Sequence, residues 1–163
     1  MKKLRLAAVT AVSTLAAGAG LMFPASAQAT PTYWTFQNER FGTCLTAGDS
    51  GSAYATYCQG WNRQQWDWVG SGHNGYLQLK NRETGRCLMT DNKTNTNAVW
   101  MSDCSTGAAG QWWYYDASYK ELFNELGTTN DGYLRTSDVK DAVYSTDLGQ
   151  VDISYYHWTG RTV

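Results

Sequence analysis

Charge is scarce in this sequence. Asp, Glu, Lys and Arg make up 17% of its 163 residues, and histidine and proline occur twice each. No run of Lys or Arg follows the first few residues, so the basic stripe that captures a phosphate backbone is missing. That excludes nucleic acid as a partner. No second long apolar run follows the one at the N-terminus, so the rest of the chain offers no membrane span. His73 and His157 stand far apart, and neither Gly-x-Ser-x-Gly nor His-Glu-x-x-His occurs. No catalytic residue, metal site or cofactor is expected.

Residues 1–29 read as a secretory leader. Lys2, Lys3 and Arg5 form its positive end, residues 6–22 are apolar and alanine-rich, and Pro-Ala-Ser-Ala-Gln-Ala offers cleavage after Ala27 or Ala29. The composition resembles a bacterial leader. Setting its three positive charges aside moves the formal net charge from −1 to −4. Residues 30–163 are expected to form one secreted domain with its own core, a monomer by itself, without membrane attachment once the leader is cut.

What the chain does have is aromatic rings. All 8 Trp and 11 Tyr lie beyond the leader. Such a surface suits stacking on carbohydrate or contact with protein better than electrostatic capture. The rings also sit in a repeat. Asn38 and Asn81 are 43 residues apart, as are Gly42 and Gly85, Cys44 and Cys87, and Leu45 and Leu88; Asn124 follows Asn81 by the same interval. A constant period fixes architecture before any finer reading. Three units are expected, at about 32–75, 76–119 and 120–163.

Export makes the four cysteines candidates for disulfides. Of three possible pairings, the repeat favours Cys44–Cys58 and Cys87–Cys104, one inside each of the first two units. Each closes a loop of about 15 to 18 residues and is worth roughly 3 kcal/mol. Their spacing is wrong for zinc. The third unit has no cysteine, and Tyr133 or Leu134, with Leu148, is expected in those places. Short alternating runs at 34–36, 76–79, 98–101, 112–115, 132–134, 142–144 and 153–158 read as strands, with turn residues between them. Residues 117–126, the most helix-like stretch, read as a turn and a strand. The fold class is all-β.

Three four-stranded units that cannot bury a face singly can pack about a pseudo-threefold axis. Here a resemblance becomes specific. Gly-x-Cys-Leu at 42–45 and 85–88, a second cysteine, then Gln64-Gln65-Trp66 and Gln111-Trp112-Trp113, is similar to the ricin B-chain-type β-trefoil over roughly residues 32–163. In the third unit Tyr155-Tyr156-His157 replaces Gln-x-Trp. The resemblance implies that Trp66 and Trp113 lie in the core with Leu45 and Leu88, and that His157 or Trp158 does so in unit three. It also implies shallow sugar pockets, with Gln64 and Gln111 at their edges.

The pocket residues of that family carry over poorly. The Asp after Cys-Leu is replaced by Thr46, Met89 and Arg135, with Asp49 and Asp91 a few residues later. The stacking aromatic two residues before the second cysteine is replaced by Thr56 and Ser102, and the Asn before Gln by Arg63 and Gly110. Binding would then fall to other groups: Asp49, Trp61 and Gln64 in unit one, Asp91, Trp100 and Gln111 in unit two, and Tyr144 in unit three. The expected function is a secreted, non-catalytic lectin or carbohydrate-binding protein with atypical sites. The alternative is an adaptor whose aromatic surface, or whose residues 28–33 added as a strand, holds a secreted protein partner.

Overall fold

Alternation of apolar and polar residues becomes twelve short strands, four to each expected unit. The computed structural model describes residues 30–127 and 132–163; the leader and its cleavage positions lie outside them. The first unit holds β1 (Tyr33–Asn38), β2 (Thr43–Ala47), β3 (Ala53–Tyr57) and β4 (Trp66–His73). The second holds β5 (Tyr76–Asn81), β6 (Cys87–Thr90), β7 (Thr96–Ser102) and β8 (Trp112–Asp116). The third holds β9 (Glu121–Asn124), β10 (Tyr133–Thr136), β11 (Val143–Thr146) and β12 (Trp158–Thr162). Single 3-10 turns at Asn62–Gln64, Ala109–Gln111 and Ile153–Tyr155 precede the fourth strands. The described residues contain no α-helix.

Antiparallel pairing joins β1 to β4, β4 to β5, β5 to β8 and β8 to β9, and β12 returns to β1. The Trp158 amide donates to the Lys120 carbonyl at 2.7 Å, just before β9, and completes the barrel. The hairpins β2–β3, β6–β7 and β10–β11 lie outside this path, and β7 pairs β11 among them. This is a β-trefoil.

The 43-residue asparagine period has a physical cause. Asn38 Nδ2 donates to the Tyr155 and His157 carbonyls, Asn81 Nδ2 to those of Arg63 and Gln65, and Asn124 Nδ2 to that of Gly110. Each asparagine therefore ties its own hairpin to the 3-10 turn region of the preceding unit, the first closing back on the third. All three are at most 1% exposed. Their amides satisfy buried carbonyls that would otherwise be orphaned.

The tryptophans follow the same rule. Trp66, Trp113 and Trp158 are fully buried, and their indole N–H groups donate to the carbonyls of Leu45 (3.1 Å), Leu88 (2.9 Å) and Leu134 (2.9 Å). The three leucines lie in the same core with Phe36, Leu79 and Leu122. The first two units each carry their own disulfide, Cys44–Cys58 and Cys87–Cys104.

In unit three, Trp158 rather than His157 takes the core place of Trp66, so the triplet is Tyr156-His157-Trp158, one residue later than Tyr155-Tyr156-His157. The Tyr156 hydroxyl takes the place of the glutamine amide, lying 3.0 Å from Thr146 Oγ1 and donating to the Asp147 carbonyl. The strand expected over 153–158 is a 3-10 turn followed by β12, because Asp152 caps Ser154 there. Leu134 matches Leu45, so Tyr133 stands at the cysteine position; it and Leu148 line one groove.

Candidate functional site

The residues singled out from sequence fall in three separate places. In unit one, the loop after β2 brings Asp49 against Arg63, whose Nη2 bonds Asp49 Oδ1. Arg63 Nε also lies 3.7 Å from Glu83 Oε1, from the β5–β6 turn. Tyr54, Trp61, Arg63 and Glu83 line a groove of about 620 Å³. Trp61 is 46% exposed, and the Asp49 and Glu83 side chains are open to solvent. Glu83, supplied by the next unit, carries no signal in the sequence of unit one.

Gln64 is in a different environment. It is fully buried, and its amide is spent: Nε2 donates to Thr46 Oγ1 (3.2 Å) and the Tyr57 carbonyl (2.9 Å), while Oε1 accepts from the Gln59 amide (2.8 Å). Thr46, in place of the family's Asp, is buried too and donates to the Cys44 carbonyl. Gln111 repeats the pattern. It donates to Ser102 Oγ and the Asp103 carbonyl and accepts from the Ser105 amide and Gln78. Neither glutamine presents a free donor or acceptor to a ligand.

Units two and three gather no comparable groove from the expected residues. Asp91 pairs with Lys93 at 3.2 Å, and Trp100 is half-buried opposite Met89 across β6–β7. Gly110 explains the missing asparagine there. A Cβ at that position would meet the Thr90 carbonyl oxygen at 1.8 Å, so no side chain fits. In unit three the buried Arg135 bonds Thr146 Oγ1 and the Thr136 carbonyl, and its guanidinium covers the Tyr144 ring at 5.1 Å. At the family's Asp position, Thr46 and Arg135 are both buried and spend their polar atoms on neighbours in the fold.

A second groove was not foreseen. It measures about 370 Å³ and runs along the β8–β9 hairpin, lined by Tyr114, Asp116, Glu121, Phe123 and Tyr133 with Tyr119 at its rim. Its signal in the sequence is Tyr-x-Asp and Glu-x-Phe either side of a turn, which alternation places on one face. Among the described residues no group of three or more His, Cys, Asp or Glu side chains could hold a metal ion, and no helix is long and apolar enough to cross a membrane.

Residues 62–142 match the family described as ricin-type beta-trefoil lectin domain-like. No curated protein matches in sequence. Among solved structures, the designed threefold-symmetric protein ThreeFoil matches at a TM-score of 0.67 with 20% identity, over 80% of this chain and 99% of its own. An endo-β-galactosidase from Clostridium perfringens that releases GlcNAcα1-4Gal matches at 0.66 with 16% identity, over 81% of this chain and 32% of its own. An exo-β-1,3-galactanase from Clostridium thermocellum matches at 0.64 with 20% identity, over 81% of this chain and 30% of its own. These likenesses carry the fold. With the Gln-x-Trp repeats and the interlocked asparagines, they show a β-trefoil whose residues 62–142 are similar to the ricin-type lectin-like family.

Proposed function

We propose that the protein is a secreted, non-catalytic carbohydrate-binding module that works through the Trp61 groove. The observation that carries this reading is a half-exposed indole face beside the Asp49–Arg63–Glu83 network. A pyranose ring can lie on such a face, while vicinal hydroxyls donate to the carboxylates and accept from the guanidinium. The leader and the two disulfides support an exported protein. Two structural neighbours named for cleaving galactose-containing glycans make galactosides the first ligands to try.

An aromatic contact and one or two charged hydrogen bonds sum to about 4 kcal/mol, a Kd near 1 mM. The test is an NMR titration with galactose and lactose beside a glycan array. Trp61→Ala is expected to abolish binding and leave the melting temperature unchanged, because the ring is exposed. The exposed rings of Phe41, Tyr57, Tyr114 and Tyr119 favour the second reading, a protein adaptor. A blank array together with a stoichiometric protein partner from culture supernatant would reject the sugar reading in its favour.

A further inference from the structure

The β8–β9 groove holds a carboxylate the fold does not use. Glu121 is 9% exposed, lines the groove, and finds no hydrogen-bond or ion-pair partner among the described residues. A carboxylate this little exposed, whose oxygens open only to the groove, is costly to keep without a partner. Its cross-strand partner in the register is Asp116, another carboxylate. Like charges directly opposite on a hairpin repel. One Asp116 oxygen is occupied by the turn amides of Ser118 and Tyr119, which hold the side chain in place without neutralising it.

The basic groups nearby are turned elsewhere. Lys120 Nζ bonds Glu39 Oε1 at 2.5 Å, and His157 Nδ1 lies 3.5 Å from Glu39 Oε2. Around the carboxylates stand rings. Tyr114 pairs across the hairpin with Phe123, and Phe123 pairs with Tyr133, the two rings 4.8 Å apart at 45°. Tyr119 stands 67% exposed at the mouth. Two like-charged carboxylates without an ion pair among the described residues, with His157 acting on Glu121 only through space, are walled by aromatic faces and complementary to a weakly hydrated cation. Metal ions fit poorly, since rings supply no oxygen cage.

We propose that this groove binds an organic ammonium ion, with Glu121 and Asp116 as counter-ions and Tyr114, Phe123, Tyr133 and Tyr119 as the aromatic walls. The site lies between units two and three, apart from the Trp61 groove, and does not depend on sugar binding there. Two sources share the chemistry: a free quaternary ammonium and the protonated amine of an amino sugar.

Titrating the protein lacking its leader with choline and with its neutral isostere 3,3-dimethyl-1-butanol tests the charge. Glucosamine set beside N-acetylglucosamine identifies the source. Aromatic proton shifts from Tyr119 and Tyr133 are expected with at least one cation, with the matching neutral compound at least about tenfold weaker. Glu121→Gln is expected to weaken binding about tenfold or more, and Tyr119→Ala, at an exposed position that folding does not need, by a few-fold. Choline alone points to a free quaternary ammonium, glucosamine alone to an amino sugar, and both to the shared head group. Equal binding of the neutral isosteres, undiminished binding by a folded Glu121→Gln, or no shift with either cation up to about 50 mM would overturn the proposal.

Discussion

Replacing Gln64 by alanine separates a ligand role from a structural one. The change removes three hydrogen bonds. The Tyr57 carbonyl and the Gln59 amide lie near the surface, where water can replace the lost partner, so each costs about 1 kcal/mol. Thr46 keeps its bond to the Cys44 carbonyl but loses the amide above it, in a site closed to water. With the small cavity added, the total is about 2–4 kcal/mol. That is a large share of a domain's stability and corresponds to a fall in melting temperature of roughly 6–12 °C. Urea unfolding followed by tryptophan fluorescence at fixed pH measures it. Gln65→Ala, at a neighbour whose amide bonds exposed groups, is expected to stay within about 1 kcal/mol of wild type. If Gln64→Ala kept wild-type stability and lost only glycan binding, the inward assignment of the amide would be refuted.

Three other outcomes follow from the same geometry. Trp66→Ala should cost about 3–5 kcal/mol and Trp66→Phe about 1–3 kcal/mol, since the smaller change mainly orphans the Leu45 carbonyl; denaturant melts compare them. Removing Cys44–Cys58 by double substitution to alanine should cost roughly 3 kcal/mol, read as a lower urea midpoint, and added reductant should leave that variant with only its second bridge to lose. Burial raises the Glu121 carboxyl above its ordinary 4.5. The folded chain therefore holds this proton more tightly than the unfolded chain, and stability falls as pH rises through that range. Glu121→Gln should add a few tenths to about 1 kcal/mol at pH 7, and the gain should disappear below about pH 4 in melts recorded across the series. A gain that persisted undiminished there would sink the electrostatic account.

Much of the frame was legible because repetition amplifies weak signals. One Gln-x-Trp says little, but two in register with two cysteine pairs and three asparagines specify a trefoil. The error in unit three arose where that amplification stopped. Without cysteines or a Gln-x-Trp to anchor the register, His157 and Trp158 were both open for the core place and the triplet was set one residue early. Only the indole bond to Leu134 singles out Trp158.

The groups that make grooves were harder to see. Asp49, Arg63 and Glu83 come from three loops, one of them in the next unit, and sequence spacing carries no record of their meeting. Gln64 and Gln111, expected at the edges of sugar pockets, face the core. Their direction was settled by the backbone donors and acceptors of the segments that leave β3 and β7.

The 43-residue repeat was enough to pair the cysteines within units, and the resemblance it supports put Trp66 and Trp113 in the core, because each depends on neighbours within one unit. The meeting of Tyr133 with the β8–β9 hairpin, and of Glu83 with Trp61, needed the closed barrel. Those contacts cross between strands and units whose approach is set by the shared core, and a carboxylate's cost or use depends on what that approach seals away from water.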